Sequence, residues 1–245
     1  MVVPEELVEA IDERDDASAL RRWLDVDGNS PNDYEAPDEH IPWTLLMIAA
    51  DGRAINCVRL LIARGANVNL ANSRQIGDGS EYDFELLVTP LHNAVGSQSL
   101  EVISLLLEAG ARVDARNKAG TTPLGNHLYS HNPDPLIVAA LLRAGASMDS
   151  CRDGRSAEGV FRRSLHSAGP NGDEALRLLE SVRAAGGWKR MKRIPHRKIL
   201  MLRALRARQR ATPRPDTPAY LVNLTRPSLP NEIVWRVLEY WEATM

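Results

Sequence analysis

The segment Thr89-Pro90-Leu91-His92 recurs in part as Thr122-Pro123-Leu124, with the two threonines 33 residues apart. Self-similarity at a period of roughly 20–50 residues restricts a fold more than any other single feature, because it marks a repeat architecture. The chemistry of the unit agrees. Thr89 and Thr122 are good helix N-caps, and each following proline sits where a missing N–H costs nothing. Gly65, Gly110 and Gly145 each follow an apolar run: Val58–Ile62, Val102–Leu107 and Ile137–Leu142. A glycine there takes the left-handed conformation that ends a helix. Each is followed by Ala-x-(Val/Met)-(Asn/Asp), which turns the chain. Thr44 to Gly65 spans 21 positions, as does Thr89 to Gly110, so these two helix pairs should superimpose.

This order of Thr-Pro-Leu-His, apolar helix and Gly-Ala turn resembles the ankyrin repeat. The resemblance implies an all-α ankyrin-repeat solenoid, made of helix pairs with β-hairpin fingers. Such units bury their apolar faces only by stacking, and the stack presents an extended binding surface rather than a catalytic pocket. It also implies a structural hydrogen-bonding role for His92 near the hairpins. The expected organisation is a repeat stack over 1–186, with clear repeats at about 33–69, 70–114 and 115–149. Degenerate caps are expected over 5–32 and 150–186. A basic helix (187–211), a proline-rich linker (212–227) and an amphipathic helix (228–245) should follow.

Departures from the period point to function. Thr44 to Thr89 is 45 positions, twelve more than the repeat, and the surplus falls in the hairpin between two pairs that keep register. Insertions in repeat proteins gather on one face, often the binding face. Tyr82 and Phe84 in this long finger, and Arg116 and Lys118 in the next hairpin, are the expected contacts with a protein partner.

Charge is unevenly spread. Residues 1–40 hold thirteen acidic side chains against Arg14, Arg21 and Arg22, whereas 187–215 hold eleven basic side chains and no acid. Within the basic stretch, Arg203, Arg206 and Arg210 share one helical stripe. A solvated helix accounts for it; contact with nucleic acid through the stripe is a secondary reading, and nucleic acid is not the expected partner.

At the end of the chain, Leu229-Pro230-x-Glu232-Ile233 with Val237-Leu238 resembles the opening helix of an F-box. It stands after the repeats, as in the PRANC end of poxvirus ankyrin proteins. The order of helix, prolines and Leu-Pro is also similar to a SOCS box. Either resemblance implies that Leu229, Pro230, Glu232, Ile233, Val237 and Leu238 dock a cullin ubiquitin ligase. The amphipathic pattern equally allows this helix to fold back and cap the last repeat, in a scaffold or inhibitor.

No phosphate loop, nucleophile elbow or Cys-x-x-Cys pair occurs. His127 and His131 stand four apart, but Leu128 replaces the glutamate a zinc protease needs. An enzyme, a cofactor and a metal are therefore not expected. Two cysteines, Cys57 and Cys151, fit a reducing compartment. Cys57 lies in an apolar helix and should be packed; Cys151 falls in a hairpin, where a side chain can be exposed. No apolar run approaches the ~18 residues of a membrane span. The start of the chain lacks the basic n-region of a signal peptide. A monomeric intracellular protein, cytoplasmic or nuclear, is expected.

Overall fold

The computed structural model describes residues 3–34, 43–72, 87–130, 132–149, 151–163 and 170–191. Two compact units divide the chain, Met1–Glu180 and Ser181–Met245. The second is described over 181–191 alone, where Gly186 and Gly187 take positive φ at 75° and 116°.

The first unit is all-α, the architecture the period predicts. Its short helices come in pairs: α1 (Glu5–Asp12) with α2 (Ala17–Leu24), α3 (Leu45–Asp51) with α4 (Ile55–Ala63), and α5 (Pro90–Gly96) with α6 (Leu100–Glu108). Then come α7 (Pro123–Leu128) with α8 (Pro135–Arg143), followed by α9 (Ala157–Arg163); α10 (Pro170–Ala185) begins in this unit and runs past its last residue, Glu180. Odd-numbered helices pack in succession, α1 on α3, α3 on α5, α5 on α7 and α7 on α9. The even-numbered helices α2, α4, α6 and α8 form a second row behind them. Where the fingers are described they are turns with isolated bridges, Tyr34–Thr44 and Arg152–Arg155, rather than paired strands.

Local chemistry starts these helices. Thr44 Oγ1 accepts from the Met47 N–H and Thr122 Oγ1 from the Gly125 N–H, both at 3.2 Å. Asp16 accepts the Ser18 and Ala19 N–H groups at 3.0 Å, and Asp134 accepts Leu136 N–H at 2.7 Å. Gly65, Gly110 and Gly145 end their helices at φ 83°, 88° and 98°, the left-handed geometry expected of them. The core is aliphatic. Leu20, Leu45, Leu61, Leu91, Leu106, Leu124 and Ile137 are all fully buried, each contributing about 1.5–3 kcal/mol of apolar burial.

Successive units are tied by a repeated bond. Asn32 Oδ1 accepts the Asn67 N–H at 2.7 Å, Asn69 Oδ1 the Arg112 N–H at 2.7 Å, and Asp114 the Ser147 N–H at 2.9 Å. The acceptors stand four residues after Gly28, Gly65 and Gly110. Asn32 shares this register, so the segment after α2 enters the ladder as the later fingers do. Both insertions are closed at their bases. Asn72 N–H donates to Val88 O at 3.0 Å, and Val88 N–H to Asn72 Oδ1 at 2.8 Å. Leu45 N–H donates to Asp33 O at 3.1 Å beside the Tyr34–Thr44 bridge.

Candidate interaction surface

The finger after α6 is built by a turn at its tip. Gly120 N–H donates to Asn117 O at 2.8 Å, and Asn117 Oδ1 accepts the Thr121 N–H at 2.9 Å. Gly120 supplies the positive φ of 67° that the turn requires. Arg116 and Lys118 both lie exposed on this finger, where the sequence placed them. Arg116 Nη1 donates to Gly120 O at 2.8 Å, so its guanidinium is held against its own hairpin.

His92 anchors the base of the same finger. Its Nδ1 lies 2.9 Å from Thr89 Oγ1 and 3.3 Å from the Thr89 N–H, while Nε2 lies 3.1 Å from Thr121 O. A carbonyl only accepts, so Nε2 carries the proton, and Nδ1 accepts from Thr89. The ring is buried and its pKa is lowered by that burial, with the Thr121 carbonyl opposing. A neutral imidazole here ties inner helix α5 to the next hairpin, the role the ankyrin resemblance implies for it.

One unit later the position three after the threonine is Gly125, and the next hairpin moves into the vacated space. Cys151 O accepts the Thr122 N–H at 2.8 Å and the Thr122 hydroxyl at 3.3 Å. A Cβ on Gly125 would overlap the Cys151 carbonyl, its carbon only 2.8 Å away. Cys151 is therefore buried rather than exposed in its hairpin, and burial pushes its thiol up to about 11. Cys57 is buried as expected, and burial raises its thiol further, with Asp15 adding to the effect. Neither thiol is a nucleophile near neutral pH. His127 is buried as well, with Nε2 3.2 Å from Asp134 O.

The structure brings together two residues that sequence reasoning passed over. Tyr129, at the end of α7, stacks under Arg152 of the following finger, with the guanidinium carbon 3.9 Å from the ring centroid. They are 23 positions apart, and only the turn signal Asp153-Gly154 hinted at a hairpin placing Arg152 there. Tyr82 and Phe84, the stripe Arg203, Arg206 and Arg210, and the tail residues Leu229, Pro230, Glu232, Ile233, Val237 and Leu238 lie outside the described residues. Among the described residues no group of three or more His, Cys, Asp or Glu could hold a metal ion. No helix there is long and apolar enough to cross a membrane.

Residues 7–117 match the family described as ankyrin repeats, in three copies. The chain is similar to the protein fem-1 homolog A of Danio rerio, with 45% identity over 25% of this chain and 12% of that protein. It is also similar to the palmitoyltransferase ZDHHC13 of Mus musculus, 42% identical over 24% of this chain and 9% of that protein. A putative ankyrin repeat protein of Rickettsia felis is 42% identical over 33% of this chain and 30% of that protein. The chain thus spans only about an eighth of the fem-1 relative and less of the palmitoyltransferase. These matches support a protein–protein interaction module built on ankyrin repeats.

Proposed function

We propose, from the ankyrin repeats of residues 7–117, that the chain is a non-catalytic adaptor that holds a client protein along its fingers and inner helices. The observation that carries this reading is the finger after α6. Its tip turn is closed by backbone bonds, its base is anchored by His92, and it displays Arg116 and Lys118 to solvent. A surface fixed before binding loses little freedom on contact, which favours recognition. Tyr82 and Phe84 on the longer finger supply the aromatic anchors, since tyrosine and other aromatics dominate interface energetics. The partners are proteins, met inside the cell by a monomeric chain.

The tail extends the same reading. An amphipathic helix presenting Leu229, Ile233, Val237 and Leu238 suits an apolar groove, the docking mode of a cullin-ligase adaptor. Its support is the F-box-like and SOCS-box-like pattern of the sequence. Deleting residues 228–245 tests it. Loss of co-purified ligase components with an unchanged melting temperature supports docking. A lowered melting temperature with ligase contact never present shows that the tail only caps the stack.

A further inference from the structure

Tyr129 is 47% exposed at the C-terminal end of α7. The Arg152 guanidinium lies over it, so one face of the cation is shielded and its plane is fixed. The backbone beneath is also fixed. Cys151 N–H donates to Arg155 O at 2.7 Å and Arg155 N–H to Arg152 O at 2.8 Å, around a turn at Asp153 and Gly154. The neighbouring carboxylate is engaged elsewhere. Asp153 Oδ2 is 3.0 Å from Arg155 Nη1 but 4.0 Å from Arg152 Nε, so Arg155 rather than Arg152 holds it. Asp114, the acid of the preceding finger, accepts the Ser147 N–H. Arg116 lies on that finger, which is joined to the next one at Ser147 by Asp114 and at Cys151, the residue before Arg152, by the Thr122 N–H.

We propose that Tyr129, Arg152 and Arg116 form a docking site for the carboxylates of an acidic segment in a partner protein. The proposal rests on the reading of the chain as a protein-binding module and gives that module a chemical preference. A planar guanidinium pairs with a carboxylate through two parallel N–H bonds, and one already stacked in place loses little freedom in doing so. Arg116 adds a second positive charge from the adjacent finger, and the Tyr129 ring offers an apolar edge to the residue beside the acid.

The full chain is titrated with a fluorescein-labelled octaglutamate peptide, with octaglutamine and an eight-nucleotide oligothymidylate as comparisons. Octaglutamate should bind and octaglutamine should not. Arg152→Gln should weaken octaglutamate at least tenfold and Arg152→Lys at least threefold, because lysine keeps the charge but not the plane. Arg59→Gln, distant in sequence and paired with Glu101, should leave binding unchanged. If Arg152→Gln lowers the melting temperature, Tyr129→Leu carries the test, since it keeps both guanidinium groups and should still weaken binding at least threefold. The proposal is overturned by absence of octaglutamate binding, by equal binding of octaglutamine, by tighter binding of oligothymidylate, or by variants within twofold of wild type. Capture of a protein partner is measured separately. A partner retained by Arg152→Gln would remove this site and leave the adaptor reading intact, whereas no partner for the wild-type chain would remove the adaptor reading.

Discussion

Asp15, in the turn between α1 and α2, accepts the N–H of Cys57 at 2.9 Å in the next helix pair, 42 positions along the chain. Its other oxygen accepts the backbone and side-chain N–H groups of Asn56 at 3.0 and 2.8 Å. Helix α4 has no cap from its own preceding residue, Ala54, so the first helix pair supplies the cap of the second. Asp15 holds a positive φ of 47° to do this. Adjacent units are thereby coupled through a polar contact as well as through aliphatic burial.

Asp15→Ala should destabilise the stack by about 1–2 kcal/mol, the usual cost of losing a helix cap. Asp15→Asn keeps acceptor oxygen and should recover at least half of that. Urea unfolding of both variants measures the effect, and a loss below about 0.3 kcal/mol for alanine would show that the cap is dispensable.

Gln98 has a φ of 58° at the turn between α5 and α6, and its side chain is exposed. A non-glycine residue there carries a steric cost that glycine avoids. Gln98→Gly should therefore stabilise the chain by about 0.5–1 kcal/mol, visible as a rise of about 1–4 °C in melting temperature.

The burial-lowered pKa of His92 sets a pH dependence with a definite sign. The unfolded chain binds a proton near the ordinary histidine value, and the folded chain only at lower pH. Stability is therefore complete above about pH 6.5 and declines as pH falls below it toward the folded value. His127, also lowered by burial, acts in the same direction. His92→Ala should lose about 1–3 kcal/mol at pH 7.5, from unmade buried bonds at Thr89 and Thr121. It should also flatten the decline between pH 6.5 and 5, as read from melting temperatures across that range.

Gly125→Ala should push the Cys151 hairpin off α7, at a cost of about 1–3 kcal/mol for overpacking. A thiol reagent at pH 8 provides the second readout. Cys151 is buried and held up near 11 in the wild-type chain, so it should react slowly there and faster in the variant.

The repeat was legible in the sequence because it rests on local chemistry. Thr44 and Thr122 cap their own helices, and Gly65, Gly110 and Gly145 end theirs, each within one turn of chain. Bonds between units were harder to read. Nothing near Asp15 reveals that it caps Cys57, and the ladder from Asn32 to Asn67 appears only when glycines are aligned across a degenerate unit. Cys151 was misplaced for a related reason. Its burial follows from the missing side chain of Gly125, 26 positions earlier in the chain. The exposure of Arg116 and Lys118 followed from their position on a hairpin, whereas the pairing of Tyr129 with Arg152 required knowing which hairpin lies over which helix end.

The adaptor reading stands most directly on the finger that carries Arg116 and Lys118. The decisive measurement is calorimetric titration of a protein partner, isolated on the intact chain, against wild type and Arg116→Ala with Lys118→Ala. The account predicts that affinity falls at least fivefold, about 1 kcal/mol, with the helical circular dichroism unchanged. Unchanged affinity in the double variant would contradict it.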